Sequence, residues 1–341
     1  MTEIKELIAR QARVELTALP TPLEYAENLT RYLGGPRIYV KRDDATSLTF
    51  GGNKTRKLEF IMAQARTAQA DTVVTLGGVQ SNWVRQTIAA ARRMGMDAVA
   101  VLEGEAPEQY QGNILLDKLM GAQLIYHPGI TQEEEDAEIL GDCPITGKIA
   151  RELEVQGRRP FLAPLGGATP VGNLGYINAV DELMDQLDAI GIQADYLIAA
   201  TGTGGTQAGL ECGLRLSGRL TKMLGMSVSY HTRPKEEEIA ELCNRTMQYL
   251  DLPNVSFQKS DISVNYDYVG EGYGAVTERA LEAVRLAAQL EGLILCHTYA
   301  GKALAGLIDL VRKGVLTCRD TVVFFHTGGG VANFSHAELF Q

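Results

Sequence analysis

A lysine follows directly on two glycines and an asparagine in Thr49-Phe50-Gly51-Gly52-Asn53-Lys54-Thr55-Arg56-Lys57, at what reads as the mouth of a helix. A lysine desolvated near a helix N-terminus has its charged form disfavoured, which suits it to act as an amine nucleophile and proton carrier. The ordinary alternative is an exposed lysine on an amphipathic helix, and the position just behind Gly-Gly-Asn argues against it. Much later, Thr201-Gly202-Thr203-Gly204-Gly205-Thr206 lies between an apolar strand and a helix. Glycines there let backbone N–H groups approach a phosphate at the positive end of the helix. The run is neither a P-loop, which needs Gly-Lys-Ser/Thr, nor a Rossmann fingerprint. Alone, it is equally well a tight strand-to-helix turn. An imine-forming lysine together with a distant phosphate cradle is what pyridoxal phosphate needs.

Gln80-Ser81-Asn82-Trp83 opens a helix after a strand that leads into Leu76-Gly77-Gly78. Ser81 reads as an N-cap. The same geometry offers free N–H groups to a substrate carboxylate and puts Asn82 in reach of a cofactor's phenolic oxygen. Trp83, the only tryptophan, is either a core side chain or a pocket wall. Gly270-Glu271-Gly272-Tyr273-Gly274 and Cys296-His297-Thr298-Tyr299-Ala300-Gly301-Lys302 each set a tyrosine among small residues at a loop-to-helix junction. A single tyrosine in such a place is usually a packing residue with a satisfied hydroxyl. The five histidines show no ligand spacing, so no metal site is expected.

Holding these segments together takes a scaffold, and the recurring unit is a short β-rich run followed by a long helical pattern. Strands at 38–41, 72–76, 97–102, 123–126, 196–200 and 321–325 alternate with helices from about 53 to 68, about 81 to 94 and near 112–120. The alternation predicts an α/β fold of parallel sheets covered by helices. Ligands in such sheets sit at the carboxyl ends of the strands, where every suggestive segment falls. A chain of 341 residues suits two domains. The breaks near Gly51-Gly52 and in Pro160–Gly167 predict a smaller α/β domain, 51–165, inserted into a larger one made of 1–50 and 166–341. The acidic run Gln132-Glu133-Glu134-Glu135-Asp136 reads as a solvated helix start.

A composition of 45% hydrophobic and 22% charged residues is that of a soluble globular protein. The formal net charge of −10, with no basic stripe or tail to offset it, argues against a nucleic-acid partner. Met1-Thr2-Glu3-Ile4-Lys5-Glu6 lacks the apolar core of a signal peptide. No apolar run approaches the roughly 20 residues that cross a bilayer, so no membrane role is expected. Five cysteines, odd in number and without CxxC spacing, suit a reducing cytoplasm.

These segments, in this order, resemble the D-cysteine desulfhydrase and 1-aminocyclopropane-1-carboxylate deaminase family, in the tryptophan-synthase-β class (fold type II) of pyridoxal-phosphate enzymes. The resemblance runs almost end to end, from Pro20-Thr21-Pro22-Leu23 and Lys41-Arg42-Asp43-Asp44 through Gly51-Gly52-Asn53-Lys54, Gln80-Ser81-Asn82, Gly112-Asn113 and Gly202-Thr203-Gly204-Gly205-Thr206. It closes with Tyr299-x-Gly301-Lys302-Ala303 and His326-Thr327-Gly328-Gly329. It implies that Lys54 carries the cofactor as an imine and that Asn82 faces the pyridine hydroxyl. Gly202, Thr203, Gly204, Gly205 and Thr206 would hold the phosphate, and Thr327 would meet the pyridine nitrogen. Ser81, Asn82 and the Trp83 backbone would take the substrate carboxylate, with Tyr273 and Tyr299 beside the reacting carbons. Lys54, Ser81, Tyr273 and Tyr299 are thus the implied catalytic set. A homodimer is implied in the same way.

Three departures bear on the substrate. Ala300 stands where the deaminase branch has an acidic residue, Trp83 stands where many desulfhydrase-like members have histidine, and Cys296-His297 replaces an expected Asp-Pro. The expected reaction is α,β-elimination from a small three-carbon amino acid with a β-sulfur leaving group, giving pyruvate, ammonia and sulfide. L-cysteate sulfo-lyase, 1-aminocyclopropane-1-carboxylate deaminase and a non-catalytic cofactor- or amino-acid-binding protein are the alternatives.

Overall fold

The computed structural model describes residues 4–230 and 233–341. The first three residues of the leader reading, and His231 among the five histidines, lie outside the described residues. Ten strands run in chain order as β1 (Leu23–Tyr25), β2 (Arg37–Lys41), β3 (Thr72–Gly78), β4 (Asp97–Glu103), β5 (Gln123–His127), β6 (Pro160–Leu162), β7 (Tyr196–Thr201), β8 (Lys222–Ser227), β9 (Val264–Asn265) and β10 (Thr321–Phe325). They form a six-stranded sheet, β1-β2-β10-β7-β8-β9, and a four-stranded sheet, β5-β4-β3-β6. The smaller sheet is parallel throughout.

The larger sheet departs from the parallel expectation at one edge. There β1 pairs antiparallel with β2, Leu23 opposite Lys41, while the other pairings are parallel. An antiparallel edge strand on an otherwise parallel sheet is common, because an edge needs no crossover helix. The proline-rich break at 160–167 also holds a strand. Pro160–Leu162 forms an outer strand that pairs with Thr72–Val74, at the edge position where the missing N–H of a proline is tolerated.

Continuous burial of Thr321–Phe325 and of Thr72–Gly77 shows both sheets covered on two faces, as parallel sheets require. The helix Lys54–Thr67 is set by close contact with the helix Pro170–Ala189. A Cβ placed on Gly175 would lie 2.4 Å from the Arg56 carbonyl oxygen, so only glycine lets these backbones approach. Beneath that crossing, Arg56 donates to Asp43 (2.9 Å) and to Glu182 (2.8 Å), and Tyr176 donates to Asp43 at 2.6 Å. Lys41 completes the set by pairing with Glu182. Removing one member would strand a buried charge, at about 3–5 kcal/mol. The network therefore fixes the first turn of the helix that begins at Lys54.

Candidate active site

The loop before Lys54 is held in an uncommon conformation. Thr49, Phe50, Gly51 and Gly52 have φ of 42°, 63°, 65° and 127°, a region that L side chains rarely adopt. The surroundings over-determine it. Gly52 N–H donates to Thr46 Oγ1 at 2.8 Å, Asn53 N–H to the Thr327 carbonyl at 3.0 Å, and Thr55 N–H to Gln86 Oε1 at 2.9 Å. Lys54 itself begins the helix. Burial alone lowers its pKa to about 8, with no carboxylate offsetting the cost of the charge. One turn on, Lys57 is fully buried and donates to the Gly166 carbonyl at 3.1 Å. Burial, and then the neighbouring charge of Lys54, pull its pKa well below the ordinary lysine value.

Lys54 opens into a cavity of about 330 Å³ between the two sheets. Leu76, Gly77 and Gly78 of β3, with Ala200 and Thr201 of β7, form part of its wall. The site thus lies at the carboxyl ends of parallel strands from both sheets, as expected. Gly202, Thr203, Gly204 and Thr206 line it, and Thr206 Oγ1 accepts from Asn53 Nδ2 at 3.0 Å. Gly204 (φ 84°) precedes the helix Gly205–Ser217 and gives it no side-chain cap, so its first N–H groups have no capping side chain. Gly205 does not border the cavity. A Cβ there would lie 2.7 Å from Ala168 Cα and 2.8 Å from Lys57 Nζ, so its missing side chain serves packing behind the loop.

On the opposite wall, Ser81 caps the helix Asn82–Arg93, its Oγ accepting from Val84 N–H at 3.3 Å. A hydroxyl that accepts there keeps its proton to donate elsewhere. Asn82 Oδ1 accepts from Asn113 Nδ2 at 3.1 Å, and Asn113 Oδ1 accepts from Arg85 Nη1 at 2.7 Å. That chain uses the Asn82 oxygen and leaves its NH2 group as the remaining donor. Arg85 Nη2 also donates to the Gly51 carbonyl at 2.8 Å, tying this wall to the Lys54 loop. Trp83 fills both roles weighed for it. It borders the cavity, while its ring is buried and its Nε1–H donates to Thr75 Oγ1 at 2.7 Å.

Tyr273 and Tyr299 arrive from separate loops, their hydroxyls hydrogen-bonded to each other and their ring centroids 6.0 Å apart. Tyr273 is 55% exposed, but desolvation of its hydroxyl at the cavity pushes it up to about 12, and burial raises Tyr299 as well, with its Tyr273 neighbour adding to the rise. Both are therefore neutral O–H groups near neutral pH. Thr327 lines the cavity beside Gly328. Cys296 and His297 are buried and do not line it; Cys296 Sγ packs against Gly328, 3.7 Å from its carbonyl oxygen. Among the described residues no cluster could hold a metal ion, all five cysteines are free, and no helix is long and apolar enough to cross a membrane.

Several residues of this site had no role on sequence grounds. Arg85 carries no motif, and Lys57 has no role of its own in the motif that contains it. Glu135, from the acidic run taken as solvated, lines the cavity with Glu103 and Glu271. No sequence signal separates Glu135 from Glu133 and Glu134, because only the placement of the helix Gln132–Leu140 decides which of them faces inward.

An amine with a depressed pKa, an uncapped helix end behind a glycine loop and an amide aimed by its neighbour together fit a phosphorylated aromatic aldehyde. Comparison with known proteins agrees. A family model described as "Pyridoxal-phosphate dependent enzyme" matches residues 14–328. A protein of Pyrococcus furiosus, provisionally named a 1-aminocyclopropane-1-carboxylate deaminase, is 38% identical over 336 residues, 98% of this chain and 97% of its own. A D-cysteine desulfhydrase of Klebsiella pneumoniae is 37% identical over 334 residues, 96% of this chain and 97% of its own. A crystal structure of an ACC deaminase homologue superposes with a TM-score of 0.89 at 36% identity, covering 100% of this chain and 99% of that one. The chain belongs to the pyridoxal-phosphate dependent enzymes of fold type II, in the family of the D-cysteine desulfhydrases and 1-aminocyclopropane-1-carboxylate deaminases.

Proposed function

We propose that the protein is a carbon–sulfur lyase that eliminates the β-sulfur group of a small three-carbon amino acid, as a D-cysteine desulfhydrase does. Cysteine and water give pyruvate, ammonia and hydrogen sulfide. Ala300 carries the choice within the family. It is fully buried immediately after Tyr299, so the position that the ring-opening branch fills with an acid offers no proton-transfer group here.

Bound pyridoxal phosphate supplies the electron sink for the pair left behind when the α-proton departs. The chain's own groups do the rest. The uncapped helix at Gly205 and the loop 202–206 hold the phosphate, and Asn82 donates to the phenolic oxygen. Thr327, which lines the cavity, would meet the pyridine nitrogen as a neutral hydroxyl and so would hold it less protonated than an aspartate would. Ser81 and the N–H groups behind it take the substrate carboxylate. Lys54, with its lowered pKa, accepts the α-proton. Tyr273 and Tyr299, held neutral, serve as donors to the departing sulfur rather than as bases.

The experiment is product analysis on cofactor-loaded protein given D-cysteine, L-cysteine, L-cysteate and 1-aminocyclopropane-1-carboxylate separately. Pyruvate with sulfide from a cysteine enantiomer is the expected result. Sulfite from L-cysteate would move the assignment to a sulfo-lyase. 2-Oxobutyrate from the cyclopropane substrate would restore the deaminase reading, which the name of the Pyrococcus furiosus relative favours. No turnover of any substrate would leave a binding protein. We further propose a cytoplasmic homodimer built of the two domains 51–165 and 1–50 with 166–341. Exposed Phe50, Leu119 and Phe334 are candidate contacts, and light scattering gives the test.

A further inference from the structure

The cavity is electrically lopsided. Among the described residues that line it, Lys54 is the only cation, and binding the cofactor uses that amine. Facing it are three carboxylates, each from a different segment. Glu103 ends β4, Glu135 points in from the helix Gln132–Leu140, and Glu271 sits on the loop that carries Tyr273. Glu135 is half-buried, and its carboxyl is raised from the ordinary range by burial and then by Glu103. After the larger effect of burial, Glu135 and Glu103 raise Tyr273, and Glu135 also raises Tyr299, behind burial, Tyr273 and Cys296, so the field of this wall reaches the hydroxyls assigned to the leaving group. Lys235 is buried and already paired with Glu238. Glu103 and Glu271 are exposed and partly screened by solvent, whereas the half-buried Glu135 is screened less.

We propose that this acidic wall sets the substrate class: the site accepts three-carbon amino acids whose β-substituent is neutral or positively charged and rejects those with a second anion. The inference rests on the elimination reading above. The helix end at Ser81 accommodates one carboxylate, and a β-sulfonate would face Glu103 and Glu135 with no cation to meet it. A β-ammonium, as in 2,3-diaminopropionate, would be attracted instead. Its elimination balances without any co-reactant beyond water. The α-proton goes to Lys54, its bonding pair forms the carbon–carbon double bond, and the Cβ–N bond breaks with its pair going to nitrogen, which leaves as ammonia. Water then releases pyruvate and a second ammonia.

The test titrates the holoenzyme with both enantiomers of 2,3-diaminopropionate, cysteine and cysteate. It follows the absorbance of the bound cofactor for affinity and assays pyruvate and sulfide in parallel. We expect 2,3-diaminopropionate to bind at least about tenfold more tightly than cysteate. The gap should narrow about tenfold in Glu135→Gln with Glu103→Gln, and should shrink with added salt in the wild type. If the double variant does not fold, Glu135→Gln alone and the salt series still decide. Cysteate binding as tightly as 2,3-diaminopropionate, a gap untouched by substitution and salt, or no spectral change with any ligand would each overturn the proposal. Absence of sulfide from cysteine, with the affinity ranking intact, would sink the desulfhydrase reading and leave this inference standing.

Discussion

Two of the helices that start at the cavity begin in opposite ways. The helix Asn82–Arg93 starts with a side-chain cap, Ser81 taking the Val84 N–H. The helix Gly205–Ser217 starts from Gly204 in the left-handed region, with no side-chain cap. A capped end has spent part of its hydrogen-bonding capacity, whereas an uncapped one keeps its full complement of N–H groups and its dipole for a ligand. A dianionic phosphate suits the second and a singly charged carboxylate the first. In the proposed site, the identity of one residue before the helix in a pair of similar strand-to-helix junctions sorts the anions.

The largest effect comes from removing what stands between the two ends. Lys54→Ala should abolish the imine absorbance and cut turnover by on the order of 10⁴- to 10⁶-fold; appreciable turnover in that variant would remove Lys54 from its role. At the uncapped end, Gly204→Ala forces an L side chain into φ 84° and sets its Cβ 3.0 Å from Ile239 Cγ1. Left-handed strain of about 1–2 kcal/mol predicts cofactor binding weakened about tenfold, read by titrating the apoprotein. At the capped end, Ser81→Ala should raise KM several-fold and cost about 1 kcal/mol of stability, while cofactor affinity stays near wild type. If Ser81→Ala weakened the cofactor and Gly204→Ala only raised KM, the assignment of anions to ends would be reversed.

The effect expected to be smallest on activity lies beneath the capped end. Asp117, on the same helix as Asn113, is fully buried, and neither of its carboxylate oxygens has a hydrogen-bond partner among the described residues. Burial pushes its pKa from the ordinary 3.8 up to about 8, against the pull of Arg85. A carboxyl raised in the folded state binds more protons folded than unfolded, so its contribution to stability is present at low pH and lost as pH rises from about 4 to about 8. Asp117→Asn should flatten the fall in melting temperature across that window. An unchanged slope would show that other groups set it.

Much of this architecture was legible in the chain. Strands such as Thr72–Gly78 and Thr321–Phe325 announced themselves as apolar runs followed by helical patterns, because strands covered on both faces must be apolar throughout. The antiparallel β1 and the short β6 and β9 did not. Two or three residues carry no period, and their pairing is fixed by neighbours far along the chain. The same division runs through the site. Lys54, the glycine loop, Ser81 and Asn82 sit at junctions that local signals mark. Arg85 and Asn113 matter only through hydrogen bonds made across helices.

The sequence by itself determined the alternation of strands and helices, the lysine behind its glycine pair, the glycine loop before its helix and the serine cap, since each depends on backbone preferences within a few residues. Tertiary structure alone decided which lysine opens to the cavity and which is sealed under Gly166. It also paired Tyr273 with Tyr299 and turned Glu135 inward from a run of acids. The reason is physical. Desolvation and the fields of neighbouring charges depend on which surfaces meet in space, and spacing along the chain does not record that.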